Sequence, residues 1–137
     1  MRAVLDTNIF ISGIHWTGAS GKIIEFWLDG KFELVVSAEI IDEIVKTLAN
    51  FRVSLDFEEI LSWASIISEK SVFVEPLIKF NAVKEDLDDN KFIDVAVQGG
   101  ADFIVSQDNH LLKIGEFKDI KILKPEEFLV VLEMYGF

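Results

Sequence analysis

Two carboxylates in this chain stand where an apolar run gives out. Arg2-Ala3-Val4-Leu5 closes in Asp6-Thr7-Asn8, and Phe103-Ile104-Val105-Ser106-Gln107 closes in Asp108. A short apolar run ended by polar turn-formers reads as a buried strand passing into a loop. In an open parallel sheet the ligand crevice lies outside the carboxyl ends of the strands, so acids placed there face the ground where chemistry is done. A single strand-end Asp is more often a turn residue or a helix cap. Two at matching positions favour a shared site.

Helical phase singles out a third acid. Asp89, Phe92, Ile93 and Ala96 stand at i, i+3, i+4 and i+7, so Asp89 lies on the stripe that packs against a sheet. Asp94 is about 140° around the helix from it and Asp88 about 100°. The plain alternative is an N-cap, a job open to Asp89 or Asn90. Glu43 is weaker: it lies about 130° from the centre of its helix's apolar stripe and, on internal grounds, reads as a solvated Glu. Carboxylates gathered in one cleft repel, by roughly 3 kcal/mol per pair at about 5 Å and an effective dielectric near 20. Such a cluster persists only if some acids stay protonated or a cation sits among them. The chain has no cysteine and two isolated histidines, so the ligands should be oxygens and the cation hard, Mg²⁺ or Mn²⁺. Carboxylate-bound Mg²⁺ at strand ends suits phosphoryl chemistry.

The elements that must carry these acids alternate along the chain. After the first strand come Ile9 to Ile14 and a loop with Gly13, Gly18 and Gly21; a helix then starts at Ser20 or Gly21, runs through Ile23, Ile24, Trp27 and Leu28, and stops at Gly30. Phe32 to Val36 is a second strand, and Ser37 caps a helix striped by Ile40, Ile41, Ile44, Val45 and Leu48. Asp56-Phe57-Glu58-Glu59 has capping-box spacing and opens a helix through Ile60, Leu61, Ala64 and Ile67. A short strand at Val72 to Val74, an acidic loop from Lys84 to Asn90 and the Asp89 helix follow, that helix ending at Gly99-Gly100. Ile120 to Leu123 is the last strand, and Pro125 opens a terminal helix to about Met134. This alternation predicts an α/β domain with a mostly parallel twisted sheet.

At 137 residues and 50% hydrophobic, with twelve Phe, the chain is read as one domain, 1–137, with an ordinary core. No apolar run approaches a membrane span and no leader precedes the first strand, so a soluble cytoplasmic protein is expected. The charge runs against a nucleic-acid partner: 24 acids and 13 bases leave a formal net charge of -11. Lysine and arginine supply most of the affinity for phosphates, so cations or a partner protein must provide the positive charge.

The order and spacing of these blocks resemble the PIN domain family, of the small prokaryotic group that includes VapC-type toxins of toxin-antitoxin pairs. Leu5-Asp6-Thr7-Asn8 resembles the opening motif, Ser37 to Leu48 the helix bearing the second acid, Asp86 to Asp94 with Gly99-Gly100-Ala101-Asp102 the third block, and Ile104-Val105-Ser106-Gln107-Asp108 the last. The resemblance implies a three-layer α/β/α fold and an Mg²⁺- or Mn²⁺-dependent ribonuclease whose metal-binding and catalytic acids are Asp6, Glu43, Asp89 and Asp108. Asp94, where relatives also tend to carry an acid, is the alternate for the third. Ser106-Gln107-Asp108 stands in place of the commoner Thr-Gly-Asp and keeps a hydroxyl to orient the carboxylate. An RNA substrate and a cognate antitoxin are the implied partners.

Two other classes compete with this reading. A non-catalytic PIN-like protein-interaction or RNA-binding module would suit the low pI, and cleavage of RNA with Mg²⁺ but not with EDTA separates it from the nuclease. A phosphoaspartyl phosphatase expects Asp-x-Asp after the first strand, whereas this chain has Asp6-Thr7-Asn8; a receiver expects a Lys after a late strand. Lys46, Lys91 and Lys113 are the expected phosphate contacts. Trp27 and Trp63 read as core or dimer residues, and their aromatic surface predicts a homodimer. Trp16 stays open between stacking and structure, and His15 and His110 read as surface residues. Thr7, Asn8 and Ser37 fit capping and turn formation as well as support of the site.

Overall fold

The computed structural model describes residues 1–15, 18–50, 55–84 and 86–135. Its elements in chain order are β1 (Arg2–Leu5), α1 (Thr7–Ile14), α2 (Gly18–Leu28), β2 (Glu33–Val36), α3 (Ala38–Leu48), α4 (Phe57–Lys70), β3 (Ser71–Phe73), a 3-10 turn (Leu87–Asp89), α5 (Asn90–Gln98), β4 (Phe103–Val105), α6 (Asn109–Leu112), β5 (Glu116–Phe117), β6 (Ile120–Leu123) and α7 (Pro125–Met134). The six strands form one sheet in the order β3-β2-β1-β4-β6-β5. Every pairing is parallel except the antiparallel β5–β6 edge. The α/β class with a mostly parallel sheet is therefore as the alternating pattern predicted.

That strand order contains one reversal. From β1 the chain winds outward through β2 to β3, then returns through α5 to β4 on the other side of β1 and winds outward again to β6. Parallel crossovers are right-handed, so winding in opposite directions puts the connections on opposite faces and opens a crevice between β1 and β4. Register then places the strand ends side by side. Val4 pairs with Ile104 and Leu5 with Val105, and the Asp6 N–H donates to the Val105 carbonyl at 2.9 Å, so Asp6 and Ser106 leave the sheet together.

Both faces of the sheet are covered, and the central strands carry no polar alternation: Ala3, Val4, Leu5, Ile104 and Val105 are all buried. Trp27 is buried, and the Phe10 ring meets both Trp27 and Trp63 edge-on at centroid distances of 5.7 and 5.8 Å. Trp27's surface is thus used within the core and offers nothing to a second copy. Trp16 lies outside the described residues.

Three features differ from the sequence expectation. Ile9 to Ile14 belong to a helix that begins directly at Asp6, which caps it by accepting the Asn8 N–H. Gly13 lies inside this helix rather than in a loop, because a Cβ there would stand 2.2 Å from Ile24 Cγ1 and 2.8 Å from the Ser20 carbonyl: the glycine is what lets α1 and α2 touch. The short α6 and β5 were not foreseen, since four and two residues are too few to display a period. The caps were well marked: Ser37 accepts from Ile40 N, and Asp56 and Glu59 form both bonds of a capping box.

Candidate metal centre

The crevice at the β1–β4 switch holds the acids. Asp6 is buried; its Oδ1 accepts from Asn8 N at 3.1 Å and its Oδ2 from Ser106 Oγ at 2.7 Å. The Ser106 hydroxyl in turn accepts the Asp108 N–H at 2.9 Å, so one buried side chain fixes the carboxylate after β1 and the backbone after β4. The hydroxyl expected to orient Asp108's carboxylate orients that of Asp6 instead. Asp108 caps α6, its Oδ1 accepting the His110 N–H at 2.7 Å.

Asp89 occupies the N-cap position of α5 yet makes no capping hydrogen bond. Its carboxylate is 8% exposed, and Oδ2 is buried with no hydrogen-bond partner. Leaving a carboxylate oxygen this way is costly, and native structures keep such atoms only where something else satisfies them. Burial pushes the Asp89 carboxyl up to about 7, and the charges of Asp108, Asp86 and Asp6 push in the same direction. Asp6 is also raised, chiefly by burial; its bonds from Ser106 and Asn8 offset part of this, and the charges of Asp108 and Glu43 add to it. Asp86, Asp89, Asp108 and His110 each present a ligand atom, and these four atoms lie within 4.8 Å of one another.

Glu43 reaches the cluster from α3, near enough for its charge to act on Asp6. It is held there by Lys91, which is 6% exposed and ion-pairs with Glu43 Oε2 while donating to Asp88 Oδ2 at 2.7 Å and to the Asp88 carbonyl at 3.1 Å. Burial pulls the Lys91 ammonium's pKa down, but the bonds to Asp88 and Glu43 more than restore it, leaving it above the usual lysine value. Lys91 is thereby engaged inside the protein and is not a phosphate contact. Lys46 is exposed and pairs with Asp42 at 2.8 Å.

Asp94 is elsewhere in its surroundings. It is buried, and its Oδ1 accepts the Phe80 N–H at 2.8 Å, tying the 74–84 segment to α5. Burial raises its pKa, with the Phe80 N–H and Lys79 working against the rise. Asn90 does a similar job, its side chain bonding both the N–H and the carbonyl of Val83. The structure thus gathers the ligand atoms of Asp89 and Asp108 with those of Asp86 and His110, sets Asp6 within electrostatic reach of Asp89 and Asp108 and Glu43 within reach of Asp6, and turns Asp94 to the Phe80 N–H. Nothing in the sequence marked Asp86 or His110: Asp86 precedes the helical phase that picked out Asp89, and a lone His has no partner along the chain. Oxygen-rich donors around an orphaned buried carboxylate oxygen fit a divalent cation.

A family model described as PIN domain matches residues 2–110, across both strand-end acids and the helices between them. The chain belongs to the PIN domain family. An uncharacterized protein of Methanocaldococcus jannaschii is 35% identical over 147 residues, spanning 98% of this chain and 94% of the relative. Among solved structures the fold is similar to VapBC2 from Rickettsia felis bound to a DNA fragment from their promoter, with a TM-score of 0.61 at 14% identity over 90% of this chain and 98% of that one. It is also similar to a Pyrobaculum aerophilum protein, with a TM-score of 0.62 at 16% identity over 98% of this chain and 90% of that one. PIN domains are typically nucleases that use a divalent metal, and a cluster of acidic residues is present here. Among the described residues no helix is long and apolar enough to cross a membrane.

Proposed function

We propose that this PIN domain is an endoribonuclease that hydrolyses RNA phosphodiesters with Mg²⁺ or Mn²⁺ held by Asp6, Glu43, Asp89 and Asp108. The observation that carries the reading is Asp89: it is a buried carboxylate among Asp6, Asp86 and Asp108, and among the described residues nothing donates to its Oδ2. A divalent ion among these acids would supply a water nucleophile at neutral pH and neutralise the charge that develops on the leaving oxygen.

The chain's own part is positioning. Ser106 fixes Asp6 against Asp108, the 3-10 turn carries Asp89 to the crevice, and Lys91 ties Glu43 of α3 to Asp88 of that turn. With Lys91 engaged, affinity for the phosphate chain rests on the bound cation and on Lys46 and Lys113 at the surface. In a protein of formal net charge -11 it should be modest and fall steeply with salt.

A toxin role with a cognate antitoxin partner follows from the likeness to a VapBC pair. A homodimer is part of the reading too, now resting on the exposed Phe57 and Leu61 of α4 rather than on Trp27. Incubation of a single-stranded RNA with the protein tests the activity. Cleavage with Mg²⁺ or Mn²⁺, lost in EDTA and in Asp89→Asn, is expected; cleavage that survives both overturns the reading, and its absence under every condition favours a binding module. Co-expression with the product of the adjacent reading frame tests the partner, a stable complex that suppresses cleavage being the expected result.

A further inference from the structure

Besides its carboxylates and the Lys91 ammonium, the crevice holds an imidazole. The imidazole of His110 stands 3.7 Å from Asp108 Oδ1, measured from Nδ1, and Nδ1 is buried without a hydrogen-bond partner although much of the ring is open to solvent. That separation is too long for a hydrogen bond. Two ligands of one ion at about 2.0 to 2.6 Å, however, stand up to about 4 to 5 Å apart when they face each other across it. The spread of 4.8 Å among the ligand atoms of Asp86, Asp89, Asp108 and His110 falls in that range. A second orphan lies in the same group: Asp89 Oδ2, on a side chain more than nine-tenths buried. Two unpartnered buried atoms, an anionic oxygen and a ring nitrogen, thus share one cluster. Among the described residues no hydrogen-bonding group satisfies either atom, and one cation would satisfy both.

We propose that His110 supplies a nitrogen ligand to a divalent ion held with Asp86, Asp89 and Asp108, and that this makes the centre select Mn²⁺ over Mg²⁺. The inference rests on the metal-binding reading above and goes further in naming the donor and the preference. Its chemical reason is ligand softness. Mg²⁺ takes oxygen donors in a near-ideal octahedron, whereas Mn²⁺, which shares its liking for carboxylates, is a larger first-row transition ion that also accepts a ring nitrogen. A mixed set of three carboxylates and one imidazole therefore raises affinity for Mn²⁺ and adds little for Mg²⁺. The short α6 serves this placement: Asp108 caps it through the His110 N–H, which fixes the backbone of the histidine two residues from the carboxylate.

Electron spin-echo spectroscopy of Mn²⁺ added to the intact protein reads the ligand directly, because a coordinated imidazole nitrogen modulates the echo. Calorimetric titration with Mn²⁺ and with Mg²⁺ reads the preference. The wild type should show nitrogen modulation, retained in His15→Gln and lost in His110→Gln. Mn²⁺ affinity should fall about tenfold or more in His110→Gln while Mg²⁺ affinity changes less than about threefold. His110→Asn, also polar and smaller, should behave alike, and matching thermal melts without metal establish that both variants are folded. Mn²⁺ bound in an Asp89-dependent way with no nitrogen modulation overturns the role of His110 and leaves the acid centre standing. Absence of any Mn²⁺ binding by the wild type overturns both.

Discussion

Replacing Asp89 by Asn should stabilise the metal-free protein, and should do so increasingly as pH rises from about 4 to about 7. The Asp89 carboxyl titrates from an ordinary 3.8 in the unfolded chain to about 7 in the fold, because burial and the charges of Asp108, Asp86 and Asp6 all disfavour its anion. A folded pKa above the unfolded one means that the native state holds the proton more tightly. Stability is then greatest below about pH 4, falls as pH rises through the interval between the two values, and levels off above about 7. A shift of about three units at about 1.4 kcal/mol each sets an upper bound near 4 kcal/mol, and shared titration with the neighbouring acids reduces what one substitution recovers to about 2 to 4 kcal/mol. Asn keeps the size of the side chain and carries no charge. Urea unfolding in EDTA should therefore give a variant more stable by at most about 1 kcal/mol at pH 4.5 and by the full difference at pH 8. Mn²⁺ should reverse the order, since an ion that binds only the native wild type at a thousandfold excess over Kd adds about 4.1 kcal/mol that the variant cannot gain. Equal stabilities at pH 8 in EDTA, or a variant less stable there, would refute the picture of Asp89 as a buried anion among like charges.

Ser106→Ala removes the hydroxyl that joins Asp6 to Asp108 and should lower unfolding free energy by about 1 to 3 kcal/mol and metal affinity by about 10- to 100-fold, measured by melting and by Mn²⁺ titration. Asp94→Ala leaves the half-buried Phe80 N–H without an acceptor and should cost about 1 to 2 kcal/mol while Mn²⁺ affinity stays within about threefold; a tenfold loss of affinity would move Asp94 into the site. Gly13→Ala should destabilise by about 1 to 3 kcal/mol despite alanine's better helix propensity, because the new methyl meets Ile24 and the Ser20 carbonyl; an unchanged melting temperature would show that α1 and α2 part easily. Light scattering at tens of micromolar should report a dimer, and Phe57→Ser with Leu61→Ser should shift it to a monomer.

Much of this protein is decided by residues close together in the sequence. Ser37 and the Asp56–Glu59 box announce their helices, and the unbroken apolar runs at Arg2–Leu5 and Phe103–Val105 announce strands buried on both faces. Helical phase alone separated Asp89 from Asp94, because a 100° step per residue carries the two to different sides whatever the rest of the chain does. Phase could not say what lies on either side. That Asp94 serves the Phe80 N–H, that Glu43 is drawn toward Asp6 by an ion pair to Lys91, and that Ser106 bonds Asp6 one hundred positions away are consequences of packing α3 and α5 around the β1–β4 pair. The role of Lys91 could not be read in advance, since a lysine looks the same in sequence whether its ammonium meets solvent or two carboxylates. His110 is the sharpest instance. Alone in the chain it has no pattern to belong to, and only the reversal of strand order, which sets the end of β4 against the 3-10 turn before α5, brings its ring to Asp86 and Asp89.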